Sequence, residues 1–386
     1  MKGIFSRTST SSGPSNLPPV DHQPLGRVLF GPGALNHLGE AVRGLGLVRV
    51  LLVTDPGLAQ TGHPQRAAQS LVEAGVRVTS FEGVKENPTD REVIAGVEVA
   101  RAHGIEGIVA VGGGSSLDCA KGINFLLTNG GKMADYKGHG KASRPMLPSV
   151  GVPTTAGTGS EAQSYALITD SSSHMKMACG DKKAAFRVSI LDPELTLSQP
   201  KMITAVTGID AVAHAVESLV CTKANPFSRM YSLAAWKHLE PNFETVIRDP
   251  HNLAARSGMQ IGAHFAGMAI EAAMLGVCHS CANPLTAHYG LTHGTAIGVM
   301  LPHVVRFNAA VAGDAYRELG GEPTVLADRI VALVHAAGLP TRLQECGVSE
   351  SILPLMAAEA NEQWTARFNP RPVGEAEILS LYQAAW

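Results

Sequence analysis

The sequence predicts an α/β half built on a mostly parallel sheet, followed by an all-helical half. Three observations carry this expectation. Short β-branched runs alternate with helix-compatible stretches between residues 48 and 112, and beyond Asp192-Pro193 long segments rich in Ala, Leu, Met and His take over. The third is length: at roughly 100 to 200 residues per domain, 386 residues suit two domains. The expected boundaries are a flexible tail over 1–20, an α/β domain over 21–195 and a helical domain over 196–386.

The elements follow in order. Residues 1–20 are rich in Ser, Thr, Pro and Gly with little to bury, which predicts a mobile tail. Residues 48–54 read as a strand ending at Asp55-Pro56-Gly57, and 64–74 as a helix stopped by Gly75. Residues 76–81 form the next strand, and 90–103 a helix closed by Gly104, a residue suited to a C-cap. The fully apolar run 107–111 is a buried strand entering Gly112-Gly113-Gly114. Strand and helix alternating in this way imply right-handed crossovers with helices on both sheet faces. In the second half, 203–220, 227–239 and 252–277 carry helical periods. Asn283-Pro284 reads as a helix stop and restart, with further breaks at Gly290 and Gly294. No internal repeat is evident.

Composition narrows the function. The net charge of -2 excludes a strong non-specific attraction to nucleic acid or an anionic membrane, so chemistry should sit in a pocket. No uninterrupted apolar run approaches the roughly 18 residues of a spanning helix, and the first twenty residues lack the apolar centre of a secretory signal. Six cysteines in a chain this long read as cytosolic thiols. The expectation is a soluble, cytoplasmic protein.

Two glycine-rich segments invite a phosphate. Residues 107–123 read as strand, glycine turn and helix, and the unpaired N–H groups at the start of the helix favour negative charge. Three glycines could equally serve only a tight turn. Residues 152–161 combine small hydroxyl side chains with Gly157 and Gly159, which suits a ribose, a phosphate or an amide, or simply a capped loop. The spacing Gly157-x-Gly159-x-x-Ala162 matches a dinucleotide fingerprint only formally, because no following strand and acidic residue are evident. Asp55, at the carboxyl end of an early strand, could accept from a ribose diol and repel a 2'-phosphate, or could only shape the turn before Pro56.

Of 15 histidines, six lie between His251 and His303. Asp210 and His214 sit one helical turn apart, close enough to share a cation or a simple hydrogen bond. His279 and His293 can converge on them from other segments. One carboxylate and three imidazoles suit Fe(II) or Zn(II), not Ca or Mg. The Cys278 and Cys281 spacing could mean a zinc or redox site, but free cysteines usually pack as small hydrophobes.

Taken together, these motifs resemble the iron-containing (group III) alcohol dehydrogenases. The likeness runs from Phe30-Gly31-Pro32-Gly33 through Asp55, Asn87-Pro88-Thr89, Gly112-Gly113-Gly114-Ser115, Asp118, Thr154-Thr155-Ala156-Gly157-Thr158, Asp192-Pro193 and the Asp210/His214 pair to His279 and His293-Gly294. The resemblance implies a Rossmann-like dinucleotide-binding domain and a helical metal-binding domain with the active site between them. It places the metal ligands on Asp210, His214, His279 and His293. Cofactor contacts fall on Asp55, Asn87, Gly113, Gly114, Ser115, Asp118, Thr154, Thr155, Thr158 and Lys176. It implies NAD as hydride carrier, Fe2+ with Zn2+ as the alternative ion, a small alcohol or aldehyde as substrate, and a homodimer or higher homo-oligomer. Asn283 stands where many members have a further histidine, which leaves His288 as the candidate proton relay or, equally, as a surface or packing residue. Other readings are a reductase of an oxo-acid or phosphonate-bearing aldehyde, or a nucleotide-sensing protein without turnover; the intact ligand set favours neither.

Overall fold

The computed structural model describes residues 20–386 other than His174, so the expected tail over 1–20 lies outside the described residues except for Val20. In the first half, strands and helices alternate as β1 (Arg27–Phe30), α1 (Leu38–Gly44), β2 (Arg49–Val53), α2 (Pro56–Ala59), α3 (His63–Glu73), β3 (Arg77–Phe81), α4 (Asp90–Ala102), β4 (Gly107–Gly112) and α5 (Gly114–Asn129). The strands β5 (Gly138–His139), β6 (Ser149–Pro153), β7 (Tyr165–Thr169), β8 (Lys176–Gly180) and β9 (Val188–Leu191) complete it.

Six strands form one parallel sheet in the order β1-β9-β6-β4-β2-β3. After β3 the chain crosses back to place β4 on the other side of β2, so the β2/β4 boundary is where the winding direction reverses. In open α/β sheets the crevice at the carboxyl ends of such a pair is the usual ligand site. The central strands β4 and β6 are buried along their whole length, which explains why they read as unbroken apolar runs. Two apolar clusters line the two sheet faces, one around Ile108, Ala110 and Phe125, the other around Val109, Val111 and Leu71. A second sheet, β5-β8-β7, contains the antiparallel pair β7/β8 and was not expected. Its strands are short and fall in a stretch rich in Gly, Lys and Ser, where no periodic apolar pattern stands out.

The second half is helical: α6 (Lys201–Val220), α7 (Pro226–Arg248), α8 (Leu253–Ala272), α9 (Val277–Tyr289), α10 (His293–Arg317), α11 (Pro323–Ala336), α12 (Leu353–Asn361) and α13 (Glu375–Ala385). Helix α6 is its axis, buried from Gly208 to Val220 among α7, α8 and α10. By length and composition α6 and α10 could each cross a membrane, but their apolar windows are 83% and 61% buried inside this bundle.

Three sequence expectations about breaks change. The segment 252–277 is not one helix: it turns sharply at Ala273–Gly276, with α8 and α9 at 107°. Asn283-Pro284 does not stop a helix, since α9 runs through it; Cys281, Ala282 and Leu285 are fully buried around the proline, and that packing holds the turn despite the lost N–H. Gly290, at φ 64°, does end α9. Gly294 breaks nothing and lies in the first turn of α10, where a Cβ would stand 2.0 Å from the Val206 carbonyl oxygen.

Candidate active site

At the carboxyl end of β4, Gly112 takes φ 155° and Gly113 caps α5. The loop after β6 packs directly onto this turn: the Thr154 N–H donates to the Gly112 carbonyl at 3.0 Å, and Cβ atoms at Gly113 and Gly114 would stand 3.3 and 2.8 Å from Thr155 and Thr158. The glycines therefore bring one loop with three threonine hydroxyls against the helix N-terminus. Ser115 accepts from the backbone N–H of Asn87, whose φ of 50° makes it the one non-glycine residue in the left-handed region among the described residues.

Both readings of Asp55 have a counterpart. Its carboxylate caps α2 by accepting from Leu58 N–H at 2.9 Å, and its other oxygen accepts from the Ser116 hydroxyl at 3.2 Å, beside the glycine turn. Asp118 is buried and engaged through both oxygens: it accepts from Ser160 at 2.5 Å and from Leu167 N–H at 3.2 Å, tying the loop and β7 to α5. Lys176 opens β8, and burial lowers its ammonium against the pull of the Asp118 and Asp210 carboxylates. The spacing of Gly157, Gly159 and Ala162 leads only to a single short turn at Ser160–Ala162, so it is no strand-to-helix fingerprint.

Across the cleft, Asp210 and His214 share one face of α6, His279 comes from the first turn of α9, and His293 opens α10. The three imidazole Nε2 atoms lie 3.3, 3.5 and 3.6 Å from the same oxygen, Asp210 Oδ1, for His214, His279 and His293 in turn. Asp210, His279 and His293 each present a ligand atom within 4.8 Å of the others. His214 does not join that mutual set, but its ring stacks on His279 with centroids 5.0 Å apart.

The donor set fits a divalent first-row ion. Asp210 Oδ1 and His279 Nε2 are buried without a hydrogen-bond partner, a costly arrangement for polar atoms unless a cation satisfies them. Burial alone would raise the Asp210 carboxyl, but the surrounding imidazoles outweigh it and hold it well below the usual carboxylate range. Burial pushes His293 down to about 3, against the pull of Asp210. In His279 burial is overcome by the Glu217 and Asp210 carboxylates, which lift it to about 9.

Glu217 is the residue the sequence reading missed. One turn beyond His214 on α6, it is buried and uses both oxygens: Oε2 stands 2.5 Å from His279 Nδ1, and Oε1 accepts from Cys278 N–H at 2.8 Å. A carboxylate on the far nitrogen fixes the ring and leaves Nε2 bare for an ion. The signal was available, since positions 210, 214 and 217 recur on one helix face.

Of the two readings of His288, the structure matches the surface one. Nine residues beyond His279 on one helix is a rotation of about 180°, and the ring faces outward to pair with Glu359 at 2.7 Å. Asn283, one turn after His279, instead keeps the inner face and donates to Gln363 at 3.0 Å. Cys278 and Cys281 are fully buried free thiols, and burial raises both above their ordinary value.

A doubly wound sheet with a glycine turn at its switch point, facing a buried three-imidazole, one-carboxylate cluster, defines a metal-dependent oxidoreductase. Comparison with known proteins narrows that class. Residues 26–193 match the model of iron-containing alcohol dehydrogenase, and 204–386 that of the Fe-containing alcohol dehydrogenase family, C-terminal. The chain belongs to the iron-containing alcohol dehydrogenase family. It is 36% identical to the 1,3-propanediol dehydrogenase of Citrobacter freundii, covering 92% of this chain and 96% of that one. It is 34% identical to the NAD-dependent methanol dehydrogenase of Bacillus methanolicus, over 92% and 97% of the two chains. A solved 1,3-propanediol oxidoreductase superposes with a TM-score of 0.89 at 35% identity, over 93% and 98%.

Proposed function

We propose that this alcohol oxidoreductase uses NAD, holds Fe2+ in its cell, and interconverts small alcohols and aldehydes as a cytoplasmic homo-oligomer. The observation that carries the reading is the convergence of four donors from three helices on a point facing the glycine turn. Asp210, His214, His279 and His293 would hold the ion, and Glu217 would orient His279. A bound divalent ion supplies Lewis acidity at the alcohol oxygen, while the nicotinamide accepts the hydride. The turn at Gly113, Gly114 and Ser115, with Thr154, Thr155, Thr158 and Asn87, would receive the diphosphate and nicotinamide side of NAD. Asp55 would accept from the adenosine ribose, Asp118 would shape the loop from behind, and Lys176 would approach the dinucleotide from β8.

Asn283 cannot exchange a proton at neutral pH, so it would hold Gln363 and take no part in acid-base transfer. Zinc exceeds iron in intrinsic affinity for such a site, so protein isolated in air would acquire Zn2+. Six free cysteines fit a reducing compartment. The edge strand β1 exposes Val28 and Phe30 at 40% and 46%, an apolar edge that a second copy would cover. The test is metal analysis of protein purified without air, coupled to NADH oxidation with a panel of aldehydes. Stoichiometric iron with turnover supports the proposal, and normal turnover by fully metal-free protein sinks it.

A further inference from the structure

We infer that Trp364 and Tyr165 form the size filter of the substrate entrance, which restricts the enzyme to slim, uncharged alcohols and aldehydes. The inference rests on the alcohol-oxidoreductase reading and extends it to the substrate. Trp364 opens the short helical turn Trp364–Phe368, and its two chain neighbours are clamped to the metal-bearing helix. On one side Asn283 donates to Gln363 at 3.0 Å; on the other the Ser280 and Thr365 hydroxyls bond at 2.7 Å. Ser280 follows His279 directly, and Asn283 lies one turn further along. The indole is thus suspended beside the His279 turn while remaining 41% exposed, an unusual state for the largest apolar side chain.

From the opposite wall, Tyr165 begins β7, the strand whose Leu167 N–H is held by Asp118 of α5. Its ring meets the indole with centroids 6.2 Å apart and 32° between planes, joining the two halves of the molecule across the cleft. Tyr165 has no room to retreat. It lies over Gly180 of β8, where even a Cβ would stand 2.3 Å from the ring. His139 adds a third ring 5.8 Å from Tyr165, and Phe368 packs edge-on against Trp364 at 6.0 Å.

The chemistry of this mouth selects as well as its width. The groups that meet there are aromatic rings and the neutral amides of Asn283 and Gln363. A short carbon chain passes the two rings; a branched or long one must displace the indole.

The experiment compares kcat/KM for ethanol, 1-propanol, 1-hexanol and a branched alcohol in metal-loaded wild type, Trp364→Ala, Tyr165→Ala and the double variant. Cofactor affinity and metal content are measured alongside. A methylene in a shaped pocket is worth about 10- to 200-fold in selectivity, so Trp364→Ala should raise the hexanol-to-propanol ratio by about tenfold or more. The two single effects should not multiply in the double variant, because each opens the same gap. Tyr165→Phe, which keeps the ring, should keep the ratio. The filter is overturned if both alanine variants leave the ratio within about twofold of wild type, if Tyr165→Phe shifts it as far as Tyr165→Ala does, or if wild type prefers a cationic amino alcohol or an acidic aldehyde. Absence of turnover with every alcohol in loaded wild type overturns the dehydrogenase reading itself, which is a separate result.

Discussion

His279 is held from both ends: its Nδ1 stands 2.5 Å from Glu217 Oε2, and its Nε2 faces Asp210 Oδ1 at 3.5 Å. The first contact keeps the proton on Nδ1 and leaves Nε2 bare beside Asp210 Oδ1, so that the two atoms could share an ion. Replacing Glu217 with Gln should therefore weaken metal binding about 10- to 100-fold, the usual cost of losing such an orienting carboxylate. NAD binding in the other half should be unaffected. Chelator competition reads the affinity directly, and unchanged metal retention in Glu217→Gln would reduce the residue to a packing role.

His288→Ala should be close to silent. Its bond to Glu359 joins two partly exposed side chains, and such surface pairs contribute about 0 to 1 kcal/mol. Turnover, its pH profile and metal content should match those of wild type. A fall of about tenfold or more, the scale of a general acid-base group, would restore this histidine to the mechanism.

Asp55 carries two duties that a single substitution separates. Asp55→Gly should relax the preference for NAD over NADP, because the carboxylate that would repel a 2'-phosphate is gone. It should also cost some stability through the lost cap on α2, though only about a few tenths of a kcal/mol for glycine. Kinetics with both cofactors plus a thermal melt test the pair. Equal use of NAD and NADP by the unmodified protein would remove Asp55 from cofactor choice.

His303 gives the fold an acid sensitivity. Burial, helped by Arg306, pushes the imidazole from 6.5 to about 4 in the folded chain. Between those values the unfolded chain binds the extra proton and the folded one does not, so this residue's contribution is intact above about 6.5 and is lost as pH falls toward 4. His303→Leu should flatten the decline in unfolding free energy between pH 7 and about 4. An identical slope in the variant would show that the histidine contributes nothing to it.

Much of this arrangement was written locally in the chain. The β4 run into Gly112 carries its own strand, turn and helix signals, and Asp210 with His214 advertises one helix face. The β7/β8 sheet was hidden because its pairing joins Tyr165 to Gly180 through a polar turn. Pro284 misled for the opposite reason: its local cost is real, but buried neighbours in α9 override it. Glu217 shares the helix face of Asp210 and His214, which the chain does record, but its partner His279 lies 62 positions away and Trp364 meets Tyr165 across 199, and no local pattern names those partners.

Gly157 of the second glycine loop has no side chain because Thr207 occupies that place: a Cβ would stand 2.4 Å from the Thr207 Cβ. Thr207 lies one turn before Asp210 on α6. Together with Gly294 pressed on Val206, the contact wedges one turn of α6 between the second glycine loop and the start of α10. A single methyl at either glycine would pry that turn, and the Asp210 that follows it, off its seat.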